Sequence, residues 1–228
     1  IEFDSLSHYD STAKRLMVER GIILPQESIE DVFSRVVGTL LAVDSELNNY
    51  QIDLSFGREI QALIQDKTIA FGTPILTNVG RREAPTTAAC TVLLLPIQEG
   101  VLKLEEFKIS SQEVLEDAVG TGYDLSDLED PVGSLKEMNK FLNDLNASLI
   151  ARQKRPVASI ATLRVDHPKI IEFIQAKRQE DFNQWRLNLS VFITEELFAR
   201  AEQHASIDLV DRIGRVVGTL PAETILDA

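Results

Sequence analysis

Residues 72–96 read GTPILTNVGRREAPTTAACTVLLLP, and the chain's one cysteine lies among them at position 90. The first half is punctuation. Thr73-Pro74 fixes an extended approach, because proline disfavours the helical region for the residue before it, and Asn78-Val79-Gly80 reads as a turn. The second half is a small-residue run, Thr86-Thr87-Ala88-Ala89, leading to Cys90. The apolar stretch Thr91–Leu95 follows and stops at Pro96. Rich in Val, Leu and Thr and bounded by turn residues, it reads as a buried strand. Cys90 is then expected at the N-terminal edge of a core strand, with hydroxyls and backbone N–H groups just before it. On its own, a lone cysteine is more often a small buried hydrophobe than a reagent.

Upstream of this stretch the pattern is helical. Leu6, Tyr9, Ala13, Leu16 and Met17 space one helical face over residues 4–20, with Ser5 as N-cap and Gly21 as the stop. Over 25–49, Ile29, Val32, Phe33, Val36, Val37, Leu40, Leu41 and Leu47 form a stripe, capped by Ser28 with Asp31 in the first turn. A third helix is predicted over 57–66. Downstream the pattern alternates. Helices are predicted over 104–119, 135–152, 169–177, 195–204 and 207–217. Strands are predicted at Thr91–Leu95, in a short piece after Val119-Gly120-Thr121-Gly122, at Val157–Leu163 and at Leu187–Ile193. Strands separated by helices mean βαβ units and a parallel sheet. The expected organisation is an N-terminal helical region over residues 1–70 and an α/β region over 71–228, together one continuous unit. Four strands is a thin sheet for so many helices, which suggests a partner set of strands.

Composition narrows the function. The 228 residues carry 36 acidic and 23 basic side chains, a net charge of −13. No basic run supplies the clustered positive field that a nucleic-acid surface needs, so nucleic acid is not an expected partner. No apolar run approaches the roughly 18 residues of a membrane span, and the opening IEFDSLSHYD is not a secretory leader. A single cysteine excludes an internal disulfide and a multi-cysteine metal site, and fits a reducing compartment. The expected location is the cytoplasm, away from membranes. The absent initiator Met suggests processing or trimming.

Other candidate residues each have a plain alternative. Gly120-Thr121-Gly122 sits at a helix-to-strand junction, the opposite polarity from a phosphate-cradling loop. It reads as a capping turn, with close backbone approach to a ligand the sharper alternative. Asp124, Asp127, Glu129 and Asp130 read as a solvated turn rather than an acid–base pair. His167, before Pro168, reads as a turn residue, and no metal-ligand spacing involves it, His8 or His204. Lys154-Arg155 near Arg152 could meet a phosphate or simply favour a helix C-terminus. Asn188, alternating with Leu187 and Leu189 in an expected central strand, needs a partner or a ligand.

Taken in order, TPILTNVG, TTAAC, GTGYDLSDLEDP, KRPVASIATLRVDHPKIIEFIQAKR and LNLSVFITEELF resemble the catalytic subunit of ribonucleotide reductases. The adenosylcobalamin-dependent class is the most similar, over about residues 30–205. The resemblance implies an α/β fold, a helical layer followed by βα units that form half of a ten-stranded barrel with parallel strands. It implies thiyl-radical chemistry on a ribose, with two further cysteines supplying reducing equivalents. By resemblance Cys90 matches the first of that reducing pair. Thr73, Ala88, Ala89, Cys90, Gly120 and Asn188 fall at or near substrate-cradling positions; no metal ligand is implied among them.

Departures from the family's pattern shape the expectation. The second barrel half, its cysteine-bearing loop and the second reducing cysteine have no counterpart in these residues. The glycine run before Gly120 is Glu116-Asp117-Ala118-Val119, the effector loop after Pro131 shortens to Val132-Gly133-Ser134, and a second loop becomes Lys154-Arg155-Pro156-Val157. One reading is therefore part of a split or truncated subunit, contributing a nucleotide-binding half barrel that does not reduce nucleotides alone. Adenosylcobalamin would serve only if a second chain completed the barrel. The other is a non-catalytic descendant with a binding, regulatory or assembly role. Expected partners are a ribonucleoside di- or triphosphate and a protein, either another chain or a second copy.

Overall fold

The computed structural model describes residues 9–81, 86–152, 157–178 and 185–228. The chain divides into two compact units between Ala89 and Cys90. The expected cap Ser5, His8, and the basic pair Lys154-Arg155 lie outside the described residues.

The first unit is helical: α1 (Ser11–Glu19), α2 (Ile29–Asn48), α3 (Leu54–Gln65) and α4 (Thr73–Asn78). Gly21 takes φ +67°, as a helix stop requires. The start of α2 is a capping box: Ser28 Oγ accepts the Asp31 N–H at 3.1 Å, and the Asp31 carboxylate accepts the Ser28 N–H at 2.7 Å. The α2 stripe Ile29, Val32, Phe33, Val36, Val37 and Leu41 is buried with Ile64 of α3 and Leu76 of α4. Contrary to the extended reading, Thr73-Pro74 opens α4, because proline's fixed φ suits the first helical turn. Arg35 of α2 holds this short helix. Its guanidinium donates to the Leu76 carbonyl at 3.0 Å and to that of Val79, while Glu27 pairs with it at 2.9 Å. Gly80, at φ +75°, lies so close that a Cβ would stand 2.5 Å from Thr39 Oγ1 and 2.8 Å from Arg35 Cγ.

In the second unit, four strands form one parallel sheet in the order β1-β4-β5-β6: β1 (Cys90–Val92), β4 (Gly120–Asp124), β5 (Ser159–Arg164) and β6 (Leu187–Phe192). The connections carry β2 (Ile97–Gln98), β3 (Val101–Leu102) and α5 (Leu104–Glu116), then α6 (Pro131–Ala151), then α7 (Ile170–Gln175). After β6 come α8 (Glu195–Glu202), β7 (Ser206–Val210), β8 (Val216–Pro221) and α9 (Ala222–Leu226). The expected α/β architecture with parallel strands is present, and the four strands do not close into a barrel within the described residues. Tyr123 of β4 packs edge-on against Phe107 of α5 at 5.3 Å, and Phe107 meets Phe141 of α6 at 5.7 Å. Trp185, just before β6, is also buried. Lys177 Nζ stands 5.4 Å from its ring centroid, and its indole N–H has no hydrogen-bond partner among the described residues.

Three readings are corrected. The expected core strand Thr91–Leu95 is instead β1, an edge strand whose Val92 is 76% exposed; Leu94 beyond it is 93% exposed. Apolar composition marks a strand without saying whether both its faces are covered. The expected helix 207–217 is the antiparallel hairpin β7–β8. Gly214 at φ +82° and the Asp211 carboxylate, accepting the N–H groups of Ile213 and Arg215, turn the chain there. Helix α6 begins at Pro131 rather than Leu135, because Asp130 caps it through the Gly133 N–H at 2.9 Å. The residues read as a shortened loop, Val132-Gly133-Ser134, are its first turn.

Two buried asparagines of α6 fix where β5 and β6 begin. Asn146 Oδ1 accepts the Val157 N–H at 2.9 Å, and Asn139 Oδ1 accepts the Arg186 N–H at 2.8 Å. Asn146→Leu keeps the volume but strands a buried amide, which costs about 1–3 kcal/mol. The expected result is a lower urea midpoint with an unchanged slope, followed by far-ultraviolet circular dichroism.

Candidate functional site

Side chains alternate across a strand, so register decides what shares a face. Cys90 lies opposite Gly120. One step along, Val92, Gly122, Ile160 and Asn188 form a single row across all four strands. This face is open: Cys90 is exposed, Ile160 is 39% exposed and Phe192 66%. The opposite face holds Thr121, Tyr123, Ser159, Ala161, Leu163 and Leu187, all buried on the helix side. There Thr121 Oγ1 and Ser159 Oγ share a buried hydrogen bond at 2.7 Å, and Tyr123 donates to Ser111 Oγ at 3.1 Å. Desolvation holds the Tyr123 phenol above its ordinary pKa, so it stays a neutral structural donor.

The site residues expected from sequence fall in two groups. Cys90 and Gly120 are direct register neighbours. Asn188 shares their face but lies on the far edge strand, exposed rather than central. Three strand spacings of ~4.8 Å put it about 14 Å across the sheet from the cysteine's strand. A ligand lying across β4 and β5 could span that gap; a direct hydrogen bond could not. Thr73, Ala88 and Ala89 belong to the first unit, Thr73 in the first turn of α4 and Ala88-Ala89 in exposed chain leading to Cys90.

Gly122 was read only as part of a turn, yet it stands on the open face beside Val92. Its φ is not in the left-handed region. A Cβ there would meet Ile160 Cγ2 at 3.5 Å and Val92 Cγ2 at 3.7 Å, ordinary contact. Neither backbone nor packing within the sheet demands a glycine at 122, so the bare backbone is available to whatever lies on that face. The signal was in the sequence: two glycines two apart in a strand point the same way.

The remaining candidates take structural roles. Asp124 accepts the Ser126 N–H at 3.0 Å and hydroxyl at 2.6 Å, Asp130 caps α6, and Glu129 pairs with Arg212 at 3.1 Å. Arg152 caps the C-terminus of α6 and meets Glu116 at 3.7 Å. His167 is buried. Its Nδ1 accepts the Lys169 N–H at 3.0 Å, which leaves Nε2 to carry the proton and donate to the Leu128 carbonyl at 3.0 Å. His204 pairs with Glu223 at 2.6 Å. Among the described residues no group of three His, Cys, Asp or Glu side chains could hold a metal ion, and no helix is long and apolar enough to cross a membrane.

An accessible thiol thus lies on the open face of a parallel sheet, beside a strand with two glycines. Residues 89–224 match the family model described as the ribonucleotide reductase barrel domain. The chain belongs to that family. It is 28% identical over 167 residues to the vitamin B12-dependent ribonucleoside-diphosphate reductase of Thermoplasma acidophilum, covering 68% of this chain and 21% of that protein. It is 27% identical over 217 residues to the enzyme of the same description from Mycobacterium tuberculosis (strain H37Rv), covering 90% of this chain and 30% of that protein. The chain thus spans less than a third of the length of these relatives. The matched barrel-domain residues take in Ala89, Cys90, Gly120, Gly122 and Asn188 and leave out Thr73 and Ala88.

One prediction concerns His167. Burial is the main cause that holds its imidazole below the ordinary value of 6.5. Below pH 6.5 the unfolded chain binds a proton that the native chain resists, so the stabilisation present above 6.5 is lost as pH falls towards the native pKa. Melting temperature should therefore drop between pH 7.5 and 5.5, and His167→Gln should flatten that slope. Equal slopes in the two proteins would refute the assignment.

Proposed function

We propose that this chain supplies a nucleotide-binding half of a ribonucleotide-reductase-type barrel, with Cys90 as one member of its reducing thiol pair. The observation that supports this is the pairing of Cys90 with Gly120 on the open face of the parallel sheet. A ligand resting there meets a thiol, bare backbone at Gly122 and the polar side chain of Asn188. The relatives' names suggest a ribonucleoside diphosphate as that ligand.

Reduction by thiols converts two S–H groups to one S–S bond and delivers two electrons and two protons to the substrate. These 228 residues hold one cysteine, so the second thiol must come from additional chain, whether a continuation of this one or a separate protein. The same addition would cover the open face and the edges of β1 and β6 that are unpaired among the described residues, edges which otherwise invite association. The relatives' names also carry a dependence on vitamin B12. The described donor set does not fit a corrinoid's cobalt: His167 has both ring nitrogens engaged and His204 is paired with Glu223. That cofactor would have to be met by additional chain as well.

A second reading is a non-catalytic descendant that binds nucleotide for a regulatory or assembly role. One observation favours it: Asp130 caps α6 directly after β4 and leaves only 125–130 between strand and helix, little room for the effector loop the resemblance implies.

The test is alkylation of Cys90 by iodoacetamide with and without each common ribonucleoside diphosphate. Protection by at least one is expected; none from any of them, with no thermal shift, would sink both readings. Gly122→Ala separates pocket from fold. It should leave stability unchanged or raise it by up to about 1 kcal/mol, since alanine loses less entropy than glycine. It should also weaken the protection, because its methyl projects onto the open face. Cys90→Ser that binds nucleotide as the parent does, but abolishes reduction once the missing strands and thiol are supplied, supports the catalytic reading over the descendant.

A further inference from the structure

We propose that the first unit carries a docking surface for a basic amphipathic helix of a partner protein, formed by the C-terminal half of α2, the connection 49–53 and the start of α3. Helix α2 has 20 residues, about 30 Å of length, and its apolar stripe outruns the helices that cover it. Val36 is fully buried, but further along the same stripe Leu40 is 40% exposed, Val43 46% and Leu47 79%. The connection and α3 then add Tyr50, Leu54 and Phe56, all exposed. Asp44 belongs to the same face of α2, four residues after Leu40 and three before Leu47. Its carboxylate accepts the Tyr50 hydroxyl, which folds the connection back beside the stripe. A groove of about 540 Å³ opens there, with Asp44, Tyr50, Asp53, Phe56 and Glu59 in its lining. Large apolar side chains gathered in solvent and rimmed by polar groups mark an interaction site.

Charge selects the occupant. The groove lining holds no Lys or Arg, and Asp44, Asp53 and Glu59 have no basic partner among the described residues. The Ser55 hydroxyl, with the N–H groups of Phe56 and Ser55, holds the Asp53 carboxyl below its ordinary range, so this rim stays negative. A second copy of the chain does not suit it, because a two-fold contact would set these carboxylates against their own counterparts. An anionic lipid surface would be repelled in the same way. A helix with apolar anchors at i, i+3 or i+4 and i+7, flanked by Lys or Arg, meets both demands. Its apolar face rests on Leu40, Val43, Leu47 and Phe56, and its cations reach the carboxylates.

The experiment is fluorescence anisotropy of a dye-labelled peptide as long as α2, with leucines at helical spacing and lysines elsewhere, titrated with the full chain. Its controls are a scrambled peptide of the same composition and one with glutamate in place of lysine. The variants are Leu47→Gln, Phe56→Gln and Glu59→Gln, with Ile109→Gln as an exposed apolar residue of the second unit. Saturable binding of the leucine–lysine peptide is expected, with the scrambled peptide at least about tenfold weaker. Leu47→Gln and Phe56→Gln should each weaken it about tenfold, as the loss of one buried apolar side chain does. Glu59→Gln should weaken it less and reduce its sensitivity to salt, and Ile109→Gln should bind as the parent does. All four variants should keep the parental melting temperature. Equal binding of the scrambled or the glutamate peptide, or parental affinity in both Leu47→Gln and Phe56→Gln, would overturn the proposal. So would a fall in melting temperature in Leu47→Gln, which would mean that the chain itself covers the surface. Concentration-dependent dimers that Leu47→Gln abolishes, seen by light scattering, would overturn it in favour of a second copy.

Discussion

A parallel strand begins far along the chain from its neighbour, so the amide that leads into it arrives before any ladder partner can receive it. In the second unit α6 solves this twice. Asn139 and Asn146 lie two helical turns apart on its buried side, and each offers a carbonyl oxygen to the backbone leading into β5 or β6. Those two bonds set where the strands start, and the start sets the register. The register puts Gly122, Ile160 and Asn188 in one row. A slip of one residue would turn Ile160 inward and Ala161 outward, and the open face would cease to exist as such.

The helical parts were legible because their signals are local. Ser28 and Asp31 announce α2, and the apolar spacing behind them defines its buried side. The βα succession was equally plain, since Val157–Leu163, Leu187–Ile193 and the short piece after Gly120-Thr121-Gly122 are separated by amphipathic stretches, although those glycines themselves were read as a turn and belong to β4. The hairpin β7–β8 was not. Ile207, Val210, Ile213 and Val217 recur at three and four residues, as in a helix, while Ile207 and Leu209 alternate as in a strand. Only the turn chemistry of Asp211 and Gly214 separates the two, and its weight shows once the backbone is seen. Strand β2 and strand β3 escaped for a related reason. Glu99 and Gly100 both adopt positive φ, a two-residue turn in which glutamate stands where asparagine or aspartate is the usual signal.

Within the site, the structure sets Cys90 opposite Gly120, in a setting that the sequence misjudged. An apolar run such as Thr91–Leu95 carries no record of what lies over it, so an exposed edge and a buried core strand read alike. Asn188 was misplaced for the same reason: alternation with Leu187 and Leu189 fixes which way it points, not how many strands lie beyond it. Ahead of the cysteine, the bond from Asn78 Nδ2 to the Thr86 carbonyl was invisible, because Thr86 lies eight residues on and accepts through its backbone, which no side-chain pattern betrays.

Trp185 gives the chain a property unrelated to chemistry at the thiol. It is the only tryptophan, it is buried beside Lys177, and it belongs entirely to the second unit. Tryptophan emission from this protein is therefore a local voice. It reports the surroundings of Trp185 ahead of β6, while the helical unit ahead of Cys90 holds no tryptophan to report its own loosening.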